Sequence, residues 1–501
     1  MKKKLLVLTA VCAAAACLTF TACGKKGVDS SYWGSSNGYW QIGDSVESDG
    51  GGNYQYGEIT EAAFTNVSQS ASSYFSLDRN TAGYSYVRAQ ITADSKVSPS
   101  SVRVEELINY FDYSYPQPES EAVAVSAYLS PCPWNVSHKL VTVGVTTKNE
   151  SIDAQNGNYV FLVDVSGSMS GDNRLGLAKY GFNTLLNNLG GGDVVSIVKY
   201  ASGMEVVADG IECTEEGKAA AKDKMNSLQA YGATNGAGGL ELAYQTAQKH
   251  FITGGNNRVI IISDGDFNVG LNGTDEMKEF IQEKAKNGTY LSVIGVGMGN
   301  TRDDMLETLA TCGNGNYAYL DGETEAQKVF SHDLNGTLKT VAKDAKAGVT
   351  FTENVTKYRL IGYDTKHISE DDFNNSKTDA GEIGSGLCST AVYEIELADT
   401  AVEGDIATAE IKYKDVANDG RDCSVKTTVT TSTATCDDAA FVSCVAEFGL
   451  VLRNSEFKAQ ASLAAVYQRL TALAAYTEGD PYKTEFVGLV QKAIQSEKYG
   501  S

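Results

Sequence analysis

Two kinds of apolar pattern alternate along this 501-residue chain. Residues 159–163 (Tyr-Val-Phe-Leu-Val) are a near-continuous apolar run, the pattern of a strand covered on both faces, 258–263 and 290–296 read as further buried strands, and 194–200 as a strand. Between them lie helical stripes, with Leu175, Ala178, Phe182, Leu185 and Leu189 as the clearest. Further helices are predicted over 215–228, 236–251, 275–286, 301–312 and 323–341, with a last strand over 317–320. Strand and helix in alternation predict βαβ units and a doubly wound, mostly parallel sheet over residues 157–342.

The flanking segments read differently. Residues 121–129 and 140–146 alternate apolar and polar positions, as half-buried strands do. Before them Ser98 and Pro99 read as the N-cap and first position of a helix carrying Val104, Leu107, Ile108 and Phe111. Residues 59–150 therefore form a small α+β domain. Residues 343–501 begin β-rich, with clean alternation over 407–414 and 424–431. They end in helices: a stripe through Ala440, Phe441, Cys444, Val445, Phe448 and Leu452, a second over 463–476, and a third capped by Asp480 before Pro481. This length of chain is consistent with two to four domains.

Residues 1–22 read as a targeting signal: Lys2, Lys3 and Lys4, then a short apolar run ending in small residues. Thr21-Ala22-Cys23-Gly24 resembles a bacterial lipobox, with Phe20 at the third position before the cysteine where Leu is usual. The resemblance implies lipidation of Cys23 and a location on the extracytoplasmic face of the cell membrane. Residues 23–58, rich in Gly, Ser, Asn and Tyr, then form a flexible tether.

The formal net charge of −22 argues against nucleic acid as a partner, because phosphate binding needs clustered Lys and Arg. Beyond the signal and Cys23, seven cysteines remain, an odd number, and none forms a Cys-x-x-Cys pair. Isolated buried thiols are the expectation, with a Cys423–Cys436 bridge as the alternative. The four histidines, His138, His250, His332 and His367, are isolated in sequence and suggest no ligand set.

The chemistry concentrates at predicted strand ends. Asp164-Val-Ser166-Gly-Ser168 follows the first buried strand, and ligands of open α/β sheets bind beyond such carboxyl ends. Gly167 lets both hydroxyls face one point. Ser263-Asp264-Gly265 ends a second buried strand, and Gly232-Ala233-Thr234-Asn235 precedes a helix. Two carboxylates and three hydroxyls make a hard-oxygen set suited to Mg²⁺, or to Mn²⁺ or Ca²⁺.

These motifs resemble the metal-ion-dependent adhesion site of von Willebrand factor type A (VWA) domains. The resemblance implies that Asp164, Ser166, Ser168, Thr234 and Asp264 hold a divalent metal, with a coordination position left for a partner's carboxylate. Glu105-Glu-Leu-Ile-Asn-Tyr-Phe-Asp-Tyr113, Cys132-Pro-Trp-Asn135, Ser263-Asp-Gly-Asp-Phe-Asn-Val-Gly270 and Ala446-Glu-Phe-Gly-Leu-Val-Leu-Arg453 further resemble a group of bacterial VWA lipoproteins with characteristic flanks, over about residues 59–495. Together the resemblances imply a membrane-anchored binding or adhesion protein, not an enzyme. The alternatives are an envelope scaffold acting through its flanks and a Mg²⁺-dependent hydrolase. The hydrolase finds no support in a nucleophile elbow, a phosphate-binding loop or a His-Glu-x-x-His motif.

Overall fold

The computed structural model describes residues 59–499 except 78, 151–155, 234–235, 266–273, 298–302, 334–335 and 337. The signal, the tether, Cys23 and Thr234 lie outside the described residues.

The N-terminal flank contributes β1 (Thr65–Asn66), β2 (Ser72–Ser76), α1 (Ala82–Thr92), α2 (Val104–Asn109), β3 (Val123–Pro131) and β4 (His138–Thr147). The centre runs β5 (Gly157–Asp164), α3 (Leu177–Asn188), β6 (Val194–Tyr200), β7 (Met204–Glu212), α4 (Glu215–Asn226), α5 (Gly236–Lys249), β8 (Asn256–Ser263), α6 (Thr274–Lys286), β9 (Thr289–Val296), α7 (Asp303–Cys312), β10 (Tyr317–Leu320) and α8 (Glu323–Gln327). The C-terminal flank adds β11 (Thr340–Phe351), β12 (Val355–Ile361), β13 (Gly381–Gly384), β14 (Cys388–Leu397), β15 (Asp405–Asp415) and β16 (Arg421–Thr430). It ends in α9 (Asp437–Arg453), α10 (Leu463–Ala472) and α11 (Pro481–Gln495).

The central sheet has the order β10-β9-β8-β5-β6-β7. Every pairing is parallel except β6 with β7. Helices cover both faces. Phe161, Val163, Ile260 and Ile262 pack toward Phe182, Leu185 and Ala221, while Val160, Leu162, Val259 and Ile261 pack toward Leu240, Tyr244, Ile281 and Leu309. This double burial is why the middles of the inner strands carry apolar residues on both faces, as in Tyr159–Val163 and Val259–Ile262.

The two flanks share their sheets. One sheet has the order β1-β12-β14-β4-β3, and β14 pairs antiparallel with β4 from Cys388↔Thr146 to Glu396↔His138. A second has the order β13-β11-β15-β16, with β2 beside β11. Val141, Val143, Tyr393 and Ile395 of the first sheet meet Ala347, Phe351, Ala409 and Ile411 of the second. The other face of the first sheet carries the helices, with Phe111, Trp134, Leu140, Val392, Phe441 and Phe486 in one cluster.

The flank motifs are built into this joint core. Trp134 Nε1 donates to Glu394 at 3.1 Å, and Arg359 Nη2 donates to the same carboxylate at 3.0 Å. His138 Nδ1 lies 2.6 Å from Glu394. Asn109 Oδ1 accepts the Thr390 N–H at 2.7 Å, and Glu106 accepts the Gly83 N–H at 2.7 Å. Glu447 accepts the Ser462 N–H at 3.1 Å and pairs with Arg469.

Ion pairs fasten the central sheet to this frame. Arg88 of α1 forks onto Asp321 at 2.7 and 2.6 Å and reaches Glu325 of α8 at 2.6 Å and Glu485 of α11 at 3.4 Å. Glu307 of α7 faces Arg103 at 3.2 Å, Lys366 at 3.4 Å and Asn80 at 3.2 Å, all from the flanks.

Three sequence expectations need correction. The helix at Ser98–Pro99 is a single 3₁₀ turn over Pro99–Ser101, and Ser98 makes no side-chain cap. Val102 and Arg103 are extended, and Arg453 Nε, donating to the Val102 carbonyl at 2.8 Å, holds the chain in that geometry. The helix predicted over 323–341 is α8 followed by a π turn through His332, Gly336 and Leu338 are also helical, and its last residues are strand instead, because Thr340 opens β11 by pairing with Gly384 of β13. Edge strand β7 shows no two-residue alternation, and the sequence does not betray it. The Asp480 cap is present, accepting from the Tyr482 and Lys483 N–H groups at 2.8 and 3.1 Å. The seven cysteines after Cys23 are free thiols, so Cys423 and Cys436 do not bridge.

Burial alone would raise the Glu307 carboxyl, but Arg103 and Lys366 outweigh it and hold the group at about 2, below its ordinary 4.5. A depressed carboxylate contributes stability above its unfolded value and loses it as pH falls through its folded value. Glu307→Gln is expected to cost about 3 kcal/mol near neutral pH. In denaturant unfolding, the gap between parent and variant should close as pH falls from about 4.5 toward about 2.

Candidate metal centre

The strands β5, β6, β8 and β9 end along one edge of the central sheet. Asp164 is register partner to Tyr200, the last residue of β6, and Ser263 ends β8 opposite Gly295. Asp164 is completely buried (0% exposed). Its Oδ1 accepts the Ser166 N–H at 2.8 Å, and its Oδ2 accepts the hydroxyls of Tyr200 at 3.1 Å and Ser263 at 3.3 Å. Burial raises its carboxyl above the ordinary range, and the charge of Asp264 pushes the same way, against the Ser166 and Tyr200 donors. Burial, with the Asp164 charge behind it, also pushes the Tyr200 phenol well up.

The loop after β5 is held by its own backbone. The Val165 N–H donates to the Tyr200 carbonyl at 2.9 Å, and the Val165 carbonyl accepts the Tyr231 N–H at 2.7 Å. The Gly167 N–H donates to the Gly232 carbonyl at 2.9 Å. A Cβ at Gly167 would stand 3.3 Å from that oxygen, so this close approach favours glycine. A 3₁₀ turn over Gly167–Met169 brings the Ser166 and Ser168 hydroxyls to 2.9 Å from each other. Ser166 is buried and Ser168 half-buried, so the pair faces outward on one side.

Asp264, directly after β8, is also buried (1% exposed). Arg174 Nη1 donates to its Oδ2 at 3.3 Å and also to the Ser168 carbonyl. Its Oδ1 is buried and has no hydrogen-bond partner among the described residues. A buried carboxylate oxygen left without a donor is costly, and a hard cation beside it would remove that cost. The groups gathered here are carboxylate and hydroxyl oxygens, which fit a hard divalent ion.

The structure thus brings Asp164, Ser166, Ser168 and Asp264 to one edge. The loop expected to carry Thr234 adjoins them through Gly232, with the Ala233 N–H on Ser202 Oγ at 2.9 Å. Sequence reasoning missed three contributors. Tyr200 had a signal, as the terminal residue of the strand beside β5. Ser263 stands inside the second strand-end motif, yet nothing in the sequence gives its hydroxyl a role. Arg174, an isolated charge on a loop, had no signal.

A second group of candidate ligand atoms, on Asp112, His332 and Asp333, lies together elsewhere. Arg79 pairs with Asp112 at 3.3 Å and with Asp333 at 3.6 Å, and Lys328 pairs with Asp333 at 2.6 Å. Two cations already neutralise these carboxylates, which makes the group an ion-pair network.

Tyr200→Phe removes one donor from the buried Asp164 carboxylate while keeping the ring. Chemical denaturation should register a loss of about 1–2 kcal/mol. An unchanged stability would mean that the phenol does not support Asp164.

Comparison with known proteins places the chain. Residues 159–266 match the von Willebrand factor type A domain family, residues 51–142 a family described as von Willebrand factor, and residues 336–495 the family described as "Uncharacterized protein YfbK, C-terminal". "Uncharacterized protein YfbK" of Escherichia coli (strain K12) is 33% identical over 473 residues, spanning 88% of this chain and 81% of that protein. Inter-alpha-trypsin inhibitor heavy chain H3 of Mesocricetus auratus is 23% identical over 256 residues, 48% of this chain and 29% of that protein. Among solved structures, von Willebrand factor type A from Catenulispora acidiphila superposes with a TM-score of 0.41 at 14% identity, covering 73% of this chain and 90% of that one. With its VWA domain between the two matched flanks, and with that identity sustained over most of both chains, the protein belongs to the YfbK family of VWA-domain proteins.

Proposed function

We propose that this protein is a membrane-anchored extracytoplasmic binding protein. In this reading Asp164, Ser166, Ser168, Thr234 and Asp264 hold a divalent metal, Mg²⁺ or else Mn²⁺ or Ca²⁺, that captures an acidic group of a protein partner. The observation that carries it is the buried Asp264 Oδ1, without a hydrogen-bond partner among the described residues, at the edge that presents two serine hydroxyls 2.9 Å apart.

When bound, the cation supplies a localised positive charge and an open coordination position for a carboxylate oxygen. The chain's residues do the rest. Asp164 fixes the loop by accepting the Ser166 N–H, and it is itself fixed by Tyr200 and Ser263. Ser168, only half-buried, keeps one side of the site open to an arriving ligand. On a chain of net charge −22, a cation at this point supplies the local attraction for an acidic partner.

The role is non-catalytic. Asp164 accepts three hydrogen bonds, a state that suits holding a loop and ill suits taking a proton from water. Anchoring is assigned to acyl chains on Cys23, supported by the lipobox resemblance of Thr21-Ala22-Cys23-Gly24.

Calorimetric titration should give saturable Mg²⁺ or Mn²⁺ binding to the full chain and none to Asp164→Ala. Pull-down of an acidic protein partner should be lost with a chelator. Partner binding that ignores the chelator would refute metal-mediated capture. For the anchor, cells labelled with radioactive palmitate should acylate the parent and not Cys23→Ser, which should leave the membrane fraction. A Cys23→Ser chain that still sediments with membranes would rule out the lipid anchor.

A further inference from the structure

We propose that the Arg174 guanidinium is the resident counter-ion of the Asp164–Asp264 site, and that a divalent cation binds by exchange with it. This exchange deepens the metal-capture reading and rests on it.

Geometry places Arg174 within the site. The residue lies in the turn Asp172–Gly176, immediately beyond the serine loop. Its Nη1 bridges the two halves of the site, donating to the Ser168 carbonyl on one side and to Asp264 Oδ2 at 3.3 Å on the other. The Arg174 side chain is 23% exposed where that of Asp264 is 1% exposed. The guanidinium therefore stands at the mouth, with the carboxylate behind it.

A second feature, on a distant strand, accommodates this placement. Gly297 follows β9 with φ +80°, and a Cβ there would lie 2.5 Å from Arg174 Nε and 2.6 Å from Arg174 Cγ. The arginine stem crosses the strand end through space that a side chain at 297 would fill. Glycine is suited to that position both for its backbone angle and for the room it leaves.

Charge explains why exchange is favoured over addition. Asp164 and Asp264 are both buried, and one guanidinium leaves such a pair short of neutral. A divalent cation joining Arg174 would leave an excess of positive charge, whereas one replacing it balances the pair. A long side chain with partial exposure can leave toward water without disturbing the fold. The contacts Arg174 gives up are then subtracted from the cation's affinity, so this residue sets the concentration at which the site fills.

The experiment is a calorimetric Mn²⁺ titration of the full chain, of Arg174→Gln and of Gly297→Ala, with thermal melts to confirm folding. Arg174→Gln removes the competing charge, and Gly297→Ala displaces it while the arginine remains. Both should bind Mn²⁺ about tenfold or more tightly than the parent. Should one variant fail to fold, the other carries the test. Affinity equal to or weaker than the parent's in the folded variants overturns the exchange and leaves the cation site standing. Absence of Mn²⁺ binding in the parent and in both variants overturns the cation site and the exchange together.

Discussion

Asp164 places a carboxylate where the parallel strands of the central sheet end, out of reach of water, and everything at that edge answers to it. A buried carboxylate costs several kcal/mol unless donors or a cation meet its lone pairs. Here the backbone of its own loop, the phenol of β6 and the hydroxyl of β8 are all aimed at it. Three segments far apart in sequence are thereby tied to one atom group, and the serine loop inherits its shape from that tie. Asp264 is buried beside it with a smaller share of donors, and that imbalance gives the edge its appetite for positive charge.

Charges as well as apolar contacts join the central sheet to its flanks: Arg88 and Glu307 are each a charge from one side clamped by opposite charges from the other. Such pairs cost much to bury and more to break, so they specify one relative placement. The flanks in turn are a joint structure, since β4 has β14 as a neighbour, more than 200 residues away in the chain. The site edge is therefore presented by a braced body.

The parts of this arrangement legible in the sequence are those set by local rules. The middles of the inner strands β5, β8 and β9 are apolar on both sides because helices cover both faces, and Asp164 and Asp264 stand at the ends of two of them. Asp480 before Pro481 announces its helix through a cap that needs no tertiary partner. What stayed hidden depends on distant partners. β7 lies at an edge with mixed exposure, so no period of two is imposed on it. Val102 is held in extended geometry by Arg453, 351 residues away. Nothing local marks Arg88, Glu106 and Glu394 as buried, and partners from 23 to over 200 residues distant bring them inside. Arg174 belongs with these, because its role depends on Asp264 and Gly297, neither of them a sequence neighbour.

Diffraction tests most directly whether this edge holds a divalent cation. Crystals of the protein grown with Mn²⁺ should show an anomalous peak bounded by Ser166, Ser168 and Asp264, with the Arg174 guanidinium moved away from Asp264. A map collected at the manganese edge with no peak at this position, and with Arg174 still seated on Asp264, would contradict a cation site here.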